Sequence, residues 1–204
     1  MAAETSPRKA KMLTLYADGS CVGNGTPTAK AGIGVYHREG SRFNLSEPWT
    51  AALGKASNQR AELQAAIRSL EVTMEPGTCD ELEILTDSIY VVRGITEWIK
   101  AWKKNGWRNA NKKPVSNVDL WTKLDGLVAR HPGKISWRHV DGHVGLKGNE
   151  CADKLATRAT AAMKKEDIVY QQKTERKRKH SAGREPKSKR ARLTPTIHGD
   201  RAHS

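Results

Sequence analysis

The sequence predicts an α/β fold: a five-stranded mixed sheet with helices packed on its faces. Three observations carry this. The first 45 residues read as strands and turns with no helical period. The stretch that follows, as far as Met163, alternates short apolar runs with stripes of 3.6-residue period. A chain of 204 residues that is 37% hydrophobic can bury one substantial core. A single globular domain over residues 12–163 is expected, after an N-terminal extension over residues 1–11.

Met12 to Ala17 reads as a buried strand running into Asp18, and the turn-rich Gly19 to Lys30 leads to a second strand at Ala31 to His37. A third near Arg42 to Leu45 completes an antiparallel start. Asn58 is placed to cap a helix whose Leu63, Ala66, Ile67 and Leu70 form one stripe, with Glu62 in its first turn. Pro76-Gly77 closes that unit. Leu82 to Thr86 is a short apolar strand ending at Asp87, and the helix after it carries Ile89, Val92, Ile95, Ile99 and Trp102 on one face. Ser116 to Asp119 has the form of a capping box before a stripe of Leu120, Trp121, Leu124 and Val128. Lys134 to Val140 is the last strand, and Gly148 or Asn149 opens a final helix to about Met163, with Asp153 one turn in.

Four acids stand in distinctive phrases: Asp18 in Tyr-Ala-Asp-Gly-Ser, Glu62 in Asn-Gln-Arg-Ala-Glu-Leu, Asp87 in Leu-Thr-Asp-Ser and Asp153 in Gly-Asn-Glu-Cys-Ala-Asp. Carboxylates gathered in one pocket repel each other, so a set at strand ends and helix starts makes sense around hard cations such as Mg²⁺. The chemistry then points to phosphodiesters. Any single one of them reads equally well as a helix cap or a surface charge.

These phrases, together with Ser57 to Glu62 and His139 through Asp153, stand in the order found in type 1 ribonuclease H. The chain resembles that family over roughly residues 12–163, and within it the cellular eukaryotic branch, without that branch's N-terminal hybrid-binding module. The resemblance implies the ribonuclease H-like fold and an endoribonuclease that hydrolyses the RNA strand of RNA–DNA hybrids. It also implies two Mg²⁺ ions, with Mn²⁺ as the other candidate, held about 3.5–4 Å apart. Asp18 would bridge them, Glu62 and Asp87 would complete one shell and Asp153 the other. His143, between Gly142 and Gly145, would carry protons or aid product release, or else be a structural histidine in a turn. Glu150 reads either as an outer-shell acid or as a first-turn cap.

For the substrate, the resemblance points to Asn24, Asn58 and Gln59 as readers of 2′-hydroxyls, and to Lys55, Ser57 and Asn117 as the grip on a DNA-strand phosphate. Trp98 to Lys113 carries six Lys/Arg and no acid after Trp98, matching the family's basic protrusion. Contact is assigned there to Trp107 and the cations, Lys103 and Lys104 among them, with Trp98 and Trp102 packing inward. Two other readings remain open at this point: a catalytically idle hybrid-binding module of the same fold, and a DNA-cutting relative.

The net charge of +14 is uneven. Residues 1–163 hold 23 Lys/Arg against 17 Asp/Glu, giving +6, while residues 164–204 hold 13 against 5, giving +8. Such a balance favours polyanionic partners. Residues 164–204 are expected to be a disordered basic tail whose clusters, Arg176 to Lys179 and Lys187 to Arg192, serve a nuclear import receptor or tether nucleic acid. Cys21, Cys79 and Cys151 have neither disulfide nor zinc spacing, and there is no 18-residue apolar run. An intracellular monomer without membrane contact, nuclear if the tail is read as an import signal, is the expectation.

Overall fold

Strand β1 (Met12–Val22) lies at the centre of a five-stranded sheet in the structure, a computed structural model that describes residues 9–142 and 145–182. On one side β2 (Lys30–Tyr36) pairs with it antiparallel and β3 (Leu45–Pro48) pairs antiparallel with β2. On the other side β4 (Glu81–Thr86) runs parallel to β1, and β5 (Lys134–His139) parallel to β4. Parallel neighbours need crossovers, and these are helical. Helix α1 (Asn58–Glu71) joins the antiparallel part to β4. Helices α2 (Ile89–Arg93), α3 (Ile99–Lys104) and α4 (Val118–Arg130) lie between β4 and β5. Helix α5 (Lys147–Ala161) follows β5 and packs across β1, β2 and β3, while α1 packs on β1 with α4 against it.

Strand alternation puts these helices on opposite faces. Gly19 of β1 faces α1, whereas Gly32 and Gly34 of β2 face α5. The core between the layers contains Leu15, Ile33, Leu63, Ile67, Leu70, Ile84, Trp121 and Leu124, all almost fully buried.

Several expectations are corrected. β1 does not stop before Asp18 but continues four residues past it, because its ladder with β2 runs on from Asp18 opposite Gly34 to Val22 opposite Lys30. β3 begins three residues later than expected: Arg42 to Asn44 form a turn in which Asn44 N–H donates to the Ser41 carbonyl and Asn44 Oδ1 accepts from His37 N–H. The helical cap falls on Ser57, whose Oγ accepts from Arg60 N–H at 3.3 Å, and not on Asn58. Asn117 precedes α4 in the left-handed region with φ 60° and makes no side-chain cap, so the expected capping box is absent.

The helix after Asp87 is not one regular stripe. A π-helical turn, Gly94–Trp98, separates α2 from α3, and the buried positions become Val91, Ile95 and Ile99, while Ile89 is exposed. The cause is Gly94, where a Cβ would lie 2.0 Å from the Trp121 ring. The residue must face α4, and the wider turn shifts the phase to allow it.

The largest correction concerns the tail. Residues 165–182 form helix α6 (Lys165–Ala182) packed beside a 3-10 turn at Ala51–Leu53, instead of being disordered. Its anchors are mainly polar. Asp167 Oδ1 accepts from Ala51 N–H at 2.8 Å, buried Gln171 accepts from Ala56 N–H at 2.9 Å, and Glu175 pairs with Lys55 at 3.1 Å, with Ile168 packing on the core edge. The cluster Lys187 to Arg192 lies outside the described residues.

Candidate active site

Asp18, Glu62 and Asp87 each bring a carboxylate oxygen within 4.8 Å of the others. Backbone geometry explains the convergence. A Cβ at Gly19 would lie 2.2 Å from the Glu62 amide nitrogen, so only glycine there lets α1 approach β1 closely enough to set Glu62 beside Asp18. On the parallel side Tyr16 is opposite Leu85, so Asp87, two residues further on, comes level with Asp18. Gly34 is the β2 partner of Asp18, and a Cβ on it would stand 2.1 Å from the Ala152 carbonyl oxygen. α5 therefore rests directly on β2 and delivers Asp153 to the same region.

The electrostatics are those of carboxylates held close together. Asp18, 6% exposed, is pushed up to about 7, first by burial and then by the charges of Asp87 and Asp153, with an added hydrogen bond to Asp153. Glu62 is raised well above the usual carboxylate range by burial and then by Asp18. Its Oε2 is buried with no hydrogen-bond partner among the described residues. An orphaned carboxylate oxygen in an all-oxygen donor set fits a hard divalent cation, which would satisfy it and relieve the repulsion.

Two neighbours of Asp87 were not anticipated. The Asn149 side-chain amide donates to Asp87 Oδ2 at 3.4 Å, and its own Oδ1 is buried without a partner among the described residues. His139 Nε2 stands 3.1 Å from the Asp87 carbonyl oxygen. Asn149 lies inside the Gly-Asn-Glu phrase, which was the available signal. His139 ends β5 and opens the phrase that runs from His139 through Asp153, which was its signal. His143 lies outside the described residues.

The expected substrate residues form two groups. Asn24 Oδ1 accepts from Asn58 N–H at 3.2 Å, placing Asn24, Asn58 and Gln59, all exposed, at the start of α1, one turn from Glu62. Lys55, Ser57 and Asn117 line one cleft of about 500 Å³, together with Arg60, Asp119 and Arg178. Asn117 is held there by Tyr90, whose hydroxyl accepts from Asn117 Nδ2 at 3.3 Å and from Trp121 Nε1 at 2.9 Å. In the same cleft Asp119 grips the Arg60 fork at 2.8 and 2.6 Å, and that contact holds the Asp119 carboxyl below its usual range.

The basic run departs from expectation in part. Lys104 is exposed, but Lys103 pairs with Asp125 at 2.7 Å, and Trp107 is half-buried against the core, with φ 59° and its N–H bonded to the Trp102 carbonyl. Trp98 and Trp102 join Tyr90 and Trp121 in a chain of ring contacts 5.2–6.3 Å apart, as an inward-packing aromatic cluster requires.

Comparison with known proteins agrees with this geometry. The family model described as RNase H matches residues 10–161. The chain is 43% identical over 161 residues to the Ribonuclease H of Klebsiella pneumoniae (strain 342), covering 79% of this chain and 97% of that protein. It is 42% identical over 154 residues to the Ribonuclease H of Paracoccus denitrificans (strain Pd 1222), covering 74% and 94%. Among solved structures, the solution structure of the PFV RNase H domain superposes with a TM-score of 0.62 at 26% identity, over 76% of this chain and 98% of that one. With the sheet order, the converging carboxylates and these matches in agreement, the chain belongs to the RNase H family.

Proposed function

We propose that this ribonuclease H cuts the RNA strand of RNA–DNA hybrids at the Asp18, Glu62, Asp87 and Asp153 site, with two divalent cations held by those side chains. The observation that carries the reading is the convergence of three buried or half-buried carboxylates around the unpartnered Glu62 Oε2. Mg²⁺ is the expected ion, since the donors are all oxygen. Bound there, the cations would activate the attacking water and stabilise the leaving 3′ oxygen. Asp18, beside the other three acids, would be shared between the cations, with Glu62 and Asp87 helping to hold one and Asp153 the other. Asn149 and His139 orient Asp87. His143 is the proton carrier of this reading on sequence grounds.

Selectivity for the hybrid is assigned to two contacts on either side of the α1 start. Asn24, Asn58 and Gln59 face the 2′-hydroxyls of the strand that is cut, a group DNA lacks. Lys55, Ser57 and Asn117 hold a phosphate of the DNA strand in their shared cleft. The test is incubation of the full chain with matched RNA–DNA hybrid, double-stranded RNA and double-stranded DNA, with Mg²⁺ or EDTA. Cleavage of the hybrid alone, and only with Mg²⁺, is expected. Cutting in EDTA, or equal cutting of all three duplexes, would overturn it.

A further inference from the structure

The family match ends at residue 161, yet helix α6 begins at Lys165 and reaches the cleft assigned above to a substrate phosphate. Asp167, Gln171 and Glu175 fall at i, i+4 and i+8, and each bonds the segment from Ala51 to Ala56. Three anchors in register fix the rotation of the helix. Arg178, three residues beyond Glu175, continues the same face and lines the cleft with Lys55, Ser57 and Asn117. Glu175 in turn holds Lys55 at 3.1 Å, tying the helix to one of the proposed phosphate ligands.

We infer that α6 is a substrate-binding element, and that Arg178 is a further phosphate-binding residue completing the Lys55, Ser57 and Asn117 cleft from outside the family's catalytic unit. This rests on the proposed hybrid-cleaving function. A guanidinium suits the role because its planar fork meets two phosphate oxygens at once. The anchors distinguish this from loose attraction: a tether works by total charge, whereas Arg178 works by position. Lys173, on the same helix, is exposed and absent from the cleft lining, so it carries the same charge without the placement.

The experiment uses the full chain carrying Asp87→Asn, so that labelled hybrid is bound without being cut, and measures Kd by fluorescence anisotropy over a range of salt. Wild-type cleavage is assayed in parallel. Arg178→Ala is expected to raise Kd about 5-fold at 0.1 M salt and to reduce the log–log salt slope by about 0.7–0.9, the loss of one phosphate contact. Lys173→Ala should change Kd by less than about 1.5-fold, with circular dichroism confirming that both variants keep the helix. If the wild type cuts hybrid but Arg178→Ala binds like its parent, or both variants weaken binding equally, the inference fails while the enzyme assignment stands. If the wild type does not cut hybrid, the underlying reading fails as well.

Discussion

The side-chain amide of Asn149 in α5 donates to Oδ2 of Asp87 beyond β4 at 3.4 Å, joining the last helix of the catalytic unit to a carboxylate 62 residues earlier. The bond restrains the carboxylate that gathers with Asp18 and Glu62. Residues that orient a metal-binding carboxylate cost about 10–100-fold in metal affinity or activity when removed. Asn149→Ala should therefore shift the Mg²⁺ concentration for half-maximal hybrid cleavage upward by about 10-fold. An unchanged Mg²⁺ titration curve would reduce Asn149 to packing.

Asp18 also predicts how stability depends on pH without metal. Its carboxyl is raised from 3.8 to about 7 in the fold, so the native state keeps a proton that the unfolded chain has released. Stability from this group is present at low pH and is lost as pH rises from about 4 to about 7, a loss on the order of 4 kcal/mol at most. In EDTA the wild-type Tm should fall between pH 5 and pH 8, and Asp18→Asn should flatten that fall and melt higher at pH 8. Scanning calorimetry at the two pH values checks this, and a lower Tm for Asp18→Asn at pH 8 would contradict it.

Two glycine substitutions should move stability in opposite directions. Gly19→Ala puts a methyl group 2.2 Å from the Glu62 backbone nitrogen, where nothing flexible can yield, and should cost about 3 kcal/mol or more. Gly126→Ala lies inside α4, where the new methyl meets only the end of the Arg130 side chain at 3.2 Å. It should stabilise by about 0.5–1 kcal/mol through lower backbone entropy in the unfolded chain. Urea denaturation of both variants decides the pair.

A chain ending at Met163 loses the bonds from Asp167, Gln171 and Glu175 to the segment from Ala51 to Ala56. At about 1 kcal/mol for each of the two bonds to backbone N–H groups, Tm should drop by about 4–8 °C. Hybrid cleavage should survive, since all four carboxylates precede the cut. An unchanged Tm would show that α6 adds nothing to the fold.

Legibility in the sequence followed the physical signal. Asp18, Glu62, Asp87 and Asp153 could be read because unusual acids stood in distinctive phrases, and the sheet could be read because apolar runs alternate with helical stripes. α6 could not. Its contacts are carried by Asp167, Gln171 and Glu175, side chains that carry no hydrophobic period, in a segment whose Lys and Arg suggest a solvated coil. The π-helical turn at Gly94–Trp98 was hidden for a related reason: the tight contact between Gly94 and Trp121 is a tertiary fact, and it overrode the stripe written in Ile89 and Val92. The one-residue shift of the cap from Asn58 to Ser57 is a local competition between two good capping residues, in which Ser57 Oγ takes the Arg60 N–H and Asn58 becomes the first helical residue.

The turn at Pro76-Gly77 divides the acids evenly: Asp18 and Glu62 precede it, Asp87 and Asp153 follow it. Gly77 there is exposed, with φ 81° and open space where a side chain would stand, and the two halves meet along the parallel ladder between β1 and β4. Neither half holds a working set of charges alone. Cut at this turn, the two fragments would have to re-form the β1–β4 ladder and the packing of α5 across β1, β2 and β3 before hybrid cleavage could return.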